Sequence, residues 1–397
     1  MRTAALSTWR FRASNCSAPE GAAATPRTIV LSANSDWNIA NFRPGLICAL
    51  RGAGYDPIVI APQDPAADDR MRELDVERIP IRIDRSGLNP VADLRLLADY
   101  RRLLGRIQPA AYLGFTIKPN IYGSMAAATL GIPAIPNVSG LGTAFIRRGV
   151  LQSIVTALYR LGFSKAPAVF FQNDEDRSLF VGRRIVRAKQ SRVLPGSGVD
   201  LSRFAPVAPN EGPPVFLLVA RLLRDKGVIE FVQAARSLGS QGMHFQLLGP
   251  IDEDNRTAIG RLELERWVEE GVIEYLGVTD DVRPFLAAAT AVVLPSYREG
   301  MPRSLLEAAA MGRPLIATDV PGCRDVVEDG VNGYLCTIRD PVSLASAMRR
   351  LAGLPPTDRI VMGEAARRKV QEQFSEELVI GAYLEVLAGF KSGRTEA

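Results

Sequence analysis

The sequence predicts an α/β protein of two doubly wound, Rossmann-like domains facing each other across a cleft. Three observations predict it. Short apolar runs of strand length alternate with longer helix-like patterns, as in parallel sheets covered on both faces. That alternation occurs twice, on either side of a stretch rich in proline and glycine. At 397 residues the chain also exceeds the about 250–300 residues at which one hydrophobic core stops growing.

The elements run as follows. Strands are expected in the first half at TIVLSA (28–33), PIVIAP (57–62), AAYLGF (110–115), PAIPNV (133–138) and AVFFQ (168–172), with helices near 41–53, 91–107, 119–131, 150–163 and 174–182. The second half repeats the pattern with VFLLVA (215–220), HFQLLG (244–249), VIEYLG (272–277), AVVLP (291–295) and PLIATD (314–319). Its helices fall near 227–239, 256–270, 281–289, 303–312, 341–352 and 357–373. Between the halves, VLPGSGVDLSRFAPVAPNEGPP (193–214) holds five prolines and three glycines. The expected plan is an N-terminal extension over 1–27, a first domain over 28–195 and a linker over 196–214. A second domain follows over 215–373, then a last helix over 374–392 with room to cross back to the first. Ligands of such sheets bind beyond the carboxyl ends of the strands, so the site is expected in the cleft.

Composition narrows the chemistry. Hydrophobic residues make up 47% and charged residues 23%, which fits a folded protein rather than a disordered one. The net charge of +5 is unevenly spread. Tyr100 to Asn173 contains no acid but eight bases, whereas Glu211 to Glu299 holds fourteen acids against nine bases. The basic stretch suits an anionic partner such as a diphosphate or an acidic lipid surface; a solvated basic face reads the same way. It contains no recognisable nucleic-acid-binding module, so no nucleic-acid partner is expected. The four cysteines are scattered without metal-ligand spacing, which favours a reduced, cytoplasmic location. His244 is the single histidine and precedes an apolar run, which largely excludes Ser-His-Asp, Cys-His and His-rich metal chemistry. No apolar run is long enough to span a membrane. Residues 1–27 lack the apolar core of a secretory signal and read as an extension or a misassigned start.

Two segments carry the chemistry. In SYREGMPRSLLEAAAMGRPLIATD (296–319), the apolar strand AVVLP runs into a loop with Gly300 and Pro302 and then a helix from about Arg303. The unpaired N–H groups at that helix start form an anion site suited to phosphate. Glu299 in the loop and Glu307 one turn into the helix are placed to bind hydroxyls on either side of it. The plainer alternative has Ser304 capping the helix and both glutamates solvated. In VFLLVARLLRDKG (215–227), a strand delivers Arg221 and then Lys226, closed by Gly227. Cations at a helix start oppose the helix dipole unless an anion is bound there. Aimed at a leaving diphosphate, they stabilise its developing charge without a metal.

These segments, with Arg221, Lys226 and Gly227 followed by Glu299, Gly300, Pro302, Ser304 and Glu307, resemble glycosyltransferase family 4, retaining enzymes of the two-domain GT-B fold. PGSGVDLSRFAP (195–206), YLGVTDDVRPFLAAATAVVLPS (275–296) and TDVPGCRDVVEDGVNGYL (318–335) extend the likeness over nearly all of 28–392. The resemblance implies transfer of a hexose or N-acetylhexosamine from a nucleotide diphosphate sugar, with UDP favoured. It places Glu299 on the donor sugar, Glu307 on the ribose, and Arg221 and Lys226 on the diphosphate. The backbone at Gly300, Met301 and Pro302 would approach the sugar, that at Ser304 and Leu305 the phosphate, and that at Val278 and Thr279 the base. No metal and no cofactor is implied. Asp174–Asp176 and Asp252–Asp254 look like Asp-x-Asp pairs and are read as helix-start charges.

ANSDWNIANFRPGL (33–46), GFTIKPNIYGSMAA (114–127), NVSGLGTAF (137–145) and VFFQNDEDRSLF (169–180) resemble the subgroup that builds capsule, O-antigen and glycan-lipid oligosaccharides. That likeness implies a lipid-diphosphate-linked sugar acceptor, held near Thr116, Lys118, Asn120, Asn137, Gly140 and Gly142. It also implies work at the inner face of the cytoplasmic membrane. The segment RGVLQSIVTALYRLGFSK (148–165) is either a helix lying on that membrane or an ordinary core-facing one. Many relatives carry a histidine where Thr116 stands. In front-face transfer the leaving phosphate takes the acceptor proton, so no histidine is required. Two other readings remain at this stage: a sugar-nucleotide epimerase of the same fold, and a non-catalytic nucleotide-sugar-binding partner.

Overall fold

A computed structural model describes residues 27–84, 89–140, 150–209, 212–239, 242–253 and 255–392. Gly142, Arg147, Arg148, Asp254 and residues 1–26 of the expected extension lie outside the described residues. The chain divides into two compact units. The first holds the residues up to Phe171, Arg177–Arg192 and those from Ile380 onward; the second holds Gln172–Asp176 and Val193–Val379.

The first unit contains β1 (Arg27–Ser32), α1 (Asp36–Phe42), α2 (Pro44–Gly52), β2 (Tyr55–Ala61), α3 (Asp68–Glu73), β3 (Glu77–Pro80), α4 (Pro90–Ile107), β4 (Ala111–Gly114), α5 (Ser124–Thr129), β5 (Ala134–Val138), α6 (Val150–Phe163), β6 (Val169–Phe171), α7 (Asp174–Gly182) from Arg177 onward, and β7 (Ser191–Val193) up to Arg192. Its sheet has the order β3-β2-β1-β4-β5-β6-β7. Neighbours from β3 to β6 run parallel. Asn89 caps α4, accepting from the N–H groups of Val91 and Ala92, with Pro90 at the first helical position. A π-helical turn over Pro119–Gly123 follows β4. Helix α6 turns Val155, Tyr159 and Phe163 inward, at i, i+4 and i+8, and leaves Ile154 and Leu161 exposed.

The second unit contains β8 (Val215–Val219), α8 (Val228–Leu238), β9 (His244–Leu248), α9 (Arg261–Glu269), β10 (Glu274–Tyr275), α10 (Arg283–Ala288), β11 (Ala291–Leu294), α11 (Arg303–Ala310), β12 (Leu315–Thr318), α12 (Cys323–Val326), β13 (Gly333–Cys336), α13 (Pro341–Ala352), α14 (Pro356–Gln373) and the start of α15 (Glu376–Ser392). All pairings in the order β10-β9-β8-β11-β12-β13 are parallel. The unbroken apolar run of β8 reflects burial on both faces. Phe216 and Leu218 join one core with Phe231 and Met348, while Leu217 joins another with Leu305 and Val370.

Some expected elements differ. The helix expected near 41–53 is two, because Pro44 has no N–H to continue the first and starts the second instead. β3, β7 and β13 were not expected. The first two are short strands at the two edges of their sheet, mixed in composition and without alternation. The strand expected at 272–277 keeps only Glu274–Tyr275 as its ladder. The stretch expected as a linker is strapped to the second unit. Arg313, 1% exposed, donates to the carbonyls of Val207 and Ala208, and Arg367 donates to those of Leu201, Phe204 and Ala310. The last helix divides between the units: from Ile380 it belongs to the first, where Tyr383 is fully buried against Phe115 and Phe170.

Candidate active site

In the second sheet the winding reverses between β8 and β11, and the carboxyl ends of those two strands deliver the motif residues. After β8, residues 221–227 form a loop held by Leu222 N–H to the Pro250 carbonyl (2.9 Å) and Arg224 N–H to that of Thr257 (2.7 Å). After β11, residues 295–302 form the facing loop. The two loops are joined three times. Tyr297 N–H donates to the Asp225 carbonyl at 2.9 Å. Lys226 Nζ lies 2.5 Å from Glu299 Oε1, with the side chains 23% and 12% exposed. Gly227 sits so close to Pro295 that a Cβ there would stand 2.1 Å from the Pro295 carbonyl oxygen. Only glycine fits, and its φ of +73° is a second reason. Lys226 and Glu299, both singled out from sequence, are therefore in direct contact.

Helix α11 follows at once. α4 and α13 are capped by the side chains of Asn89 and Asp340, but the cap position of α11 is Pro302, which has no side-chain acceptor to offer. Leu305 N–H reaches the Pro302 carbonyl at 3.2 Å, so of the two backbone groups expected to face a phosphate, Leu305 makes a local turn bond. Glu307 accepts from Arg303 Nε at 2.7 Å, and Arg303 also reaches Ser197 Oγ at 3.3 Å. Met301 packs against Gly196. Arg303 was missed, although its spacing of four from Glu307 on one helix face could have revealed it.

The other predicted donor residues are spread around this core. Arg221, 56% exposed, pairs with Asp252 at 2.7 Å rather than with the Glu299 loop. Asp252 is thus a loop carboxylate after β9 and not a helix-start charge. Val278 is 67% exposed, and the Thr279 hydroxyl donates to the Asp281 carbonyl. Tyr297 donates to Glu230 Oε1 at 2.7 Å; burial and that carboxylate push its phenol up to about 12. Cys323 lies near Glu299, and burial pushes its thiol well above the usual range, so it is no thiolate nucleophile at neutral pH. His244 starts β9, the amino edge of the sheet, about 13 Å along the strand from the carboxyl edge, and contacts Glu274. Among the described residues, no three His, Cys, Asp or Glu side chains gather as a metal site requires.

In the first unit the predicted acceptor residues cluster after β4 and β5, but most face inward. Lys118 is paired with Asp93 of α4 at 2.8 Å, and both side chains are largely buried. The acid-free run thus receives a neutralising acid from outside itself. Asn120 and Asn137, 1% and 0% exposed, donate to the Asn137 carbonyl and to Tyr383 Oη. Thr116 Oγ1 is buried without a hydrogen-bond partner, and Gly140 is half-buried.

Known proteins resemble this chain in sequence and in fold. A family model described as "Glycosyl transferase 4-like domain" matches residues 39–196, and "Glycosyl transferases group 1" matches 213–353. The chain is 27% identical to the N,N'-diacetylbacillosaminyl-diphospho-undecaprenol alpha-1,3-N-acetylgalactosaminyltransferase of Campylobacter jejuni, over 88% of this chain and 95% of that one. It is 24% identical to the UDP-Gal:alpha-D-GlcNAc-diphosphoundecaprenol alpha-1,3-galactosyltransferase of Escherichia coli, over 73% and 78%. Its fold is shared with the sucrose-phosphate synthase of Thermosynechococcus elongatus (TM-score 0.75, 20% identity, 92% and 100% covered). Anabaena HepE, solved with UDP, shares it too (TM-score 0.74, 17% identity, 91% and 100% covered). With family models matching residues 39–196 and 213–353, and the fold shared over more than nine-tenths of the chain, the chain belongs to glycosyltransferase family 4 and has the GT-B fold.

Proposed function

We propose that the protein transfers a hexose or N-acetylhexosamine, with retention, from a UDP-sugar to an undecaprenyl-diphosphate-linked sugar in bacterial surface-glycan synthesis. The observation that carries the donor half of this reading is the Lys226–Glu299 contact beside the uncapped start of α11. A diphosphate bound there would meet Lys226 and the helix start, and Glu299 would turn to the sugar hydroxyls. Each charge-assisted bond contributes about 1.5–3 kcal/mol. In the transfer, the bond from the anomeric carbon to the diphosphate oxygen breaks and the bond to the acceptor oxygen forms on the same face. The acceptor proton passes to the departing phosphate oxygen. The diphosphate gains negative charge as it leaves, and Lys226, with Arg221 swung from Asp252, stabilises it. No histidine or metal takes part in this scheme.

The relatives support the substrates. Two are named for undecaprenyl-diphosphate-linked sugars and alpha linkages, and one for UDP-Gal. We place the acceptor at the carboxyl edge of the first sheet, near Thr116 and Gly140. The protein would act at the cytoplasmic face of the membrane. Ile154 and Leu161 of α6, exposed beside Arg160 and Lys165, would rest on the lipid. No described helix is long and apolar enough to cross a membrane.

Turnover tests the reading. Purified protein is incubated with a panel of nucleotide sugars and an undecaprenyl-diphosphate-sugar acceptor, and released nucleoside diphosphate and extended lipid are followed. Both products are expected; both should be lost in Glu299→Ala and slowed about 10–150-fold in Lys226→Ala. Nucleotide release without extended lipid would overturn the acceptor assignment, and binding without turnover would overturn catalysis.

A further inference from the structure

Glu299 is flanked by two residues that are themselves gripped. Arg298, just before it, pairs with Asp176 Oδ1. Gly300, just after it, accepts through its carbonyl from Asn173 Nδ2 at 3.1 Å. The two gripping residues also hold each other: Asn173 Oδ1 accepts from Asp176 N–H at 2.8 Å, and Asn173 Nδ2 reaches Asp176 Oδ2 at 3.3 Å. Both are buried, 3% and 1% exposed. Their five-residue segment, Gln172–Asp176, groups with the second unit although the residues on both sides of it belong to the first.

A polar pair this buried costs several kcal/mol unless its bonds are filled, and here they are. Burial raises the Asp176 carboxyl above its usual range, and Arg298 opposes the rise. Capping α7 does not explain the arrangement. The cap needs only Asn173 Oδ1; it needs neither the Nδ2 bond to Gly300 nor the pair with Arg298.

We infer that Asn173 and Asp176 form a clasp that positions Glu299, fixing the backbone on both sides of it so that its carboxylate and the Gly300 peptide stand ready for the donor sugar. Both are positioning residues: they act through 298 and 300 and touch no substrate. This role rests on the donor reading proposed above. The clasp determines how the sugar is held and leaves the nucleotide contacts of the group 1 domain alone.

Two near-isosteric variants test it. Asn173→Asp keeps the cap acceptor and loses the amide donor to Gly300; Asp176→Asn keeps the shape and loses the charge facing Arg298. Two measurements are made on the full chain: hydrogen exchange of the 296–303 segment, without ligand, and affinities for UDP, UDP-glucose, UDP-galactose and their N-acetylamino counterparts. Both variants should lose protection at 296–303. They should bind UDP within about threefold of wild type, lose about tenfold of the extra affinity for the preferred UDP-sugar, and turn over about 10²-fold more slowly. Unchanged protection together with an unchanged sugar preference overturns the clasp. So does an equal fall in UDP and UDP-sugar affinity with general unfolding, which marks a merely structural role. If wild type binds none of these nucleotides, the donor reading falls, and the exchange result alone still decides whether 173 and 176 hold the loop.

Discussion

Replacing Gly227 with alanine tests whether the loops that carry Lys226 and Glu299 depend on their close approach. The residue has φ +73°, and an added Cβ would stand 2.1 Å from the Pro295 carbonyl oxygen, more than an ångström inside the 3.4 Å of ordinary contact. The left-handed backbone costs a non-glycine residue about 1–2 kcal/mol. Forcing the carbonyl back costs about 1–3 kcal/mol more, since the overlap is with backbone and not with a flexible side-chain end. A total near 3 kcal/mol lowers the melting temperature of a unit this size by roughly 6–12 °C. The displaced Pro295 lies in the loop that carries Glu299, so donor turnover should fall as well. Gly330→Ala is the control. Its φ is +77° but nothing lies within 4 Å of the added Cβ, so it bears only the backbone term. Denaturation midpoints and turnover of the two variants are compared with wild type. If Gly227→Ala is no more destabilising than Gly330→Ala and turns over donor as well, the loops are not coupled through this contact.

Other expectations follow from the same contacts. Tyr383→Ala should destabilise by about 3–5 kcal/mol, because the ring fills a core against Phe115 and Phe170, whereas Tyr383→Phe should lose only about 1 kcal/mol, the bond from Asn137; denaturant titration separates them. Asp281 is held below the usual carboxylate range by the Arg283 guanidinium, so its contribution is present above its unfolded value of 3.8 and is lost as pH falls through the folded one. Asp281→Asn should therefore melt lower than wild type at pH 7, with the gap closing in acid; a gap that is constant with pH counts against the pair. Transfer should persist in EDTA, while Lys226→Ala should slow it about 10–150-fold, the equivalent of one charge-assisted bond. A tenfold loss on chelation that magnesium restores would refute a metal-free site.

The loops after β8 and β11 were legible because their residues sit in short motifs at strand ends. Arg221, Lys226, Glu299 and Glu307 needed only the strand–loop–helix pattern around them to be placed. What the sequence hid was pairing across long separations. Asp93 neutralises Lys118 from 25 positions upstream, and Asp176, which reads as a helix-start charge, reaches Arg298 across 122. Nor did PNIYG reveal that Asn120 would turn inward, since the wide turn over Pro119–Gly123 has no pattern of its own. Arg313 and Arg367 look like surface charges, yet they grip the carbonyls of a stretch whose prolines marked it as a linker.

The division of α15 bears on the order in which the protein can be made. A ribosome usually completes the N-terminal domain first. Here the second unit, apart from Gln172–Asp176, is one continuous stretch of sequence, Val193–Val379, with segments of the first before and after it. Tyr383 and Leu387, both buried, come from the final turns of the chain, and Tyr383 closes the core around Phe115 and Phe170. The unit begun first is therefore finished last. During synthesis its apolar sheet waits, incomplete, while the whole second unit emerges and folds, and a nascent chain released before residue 383 leaves that core open.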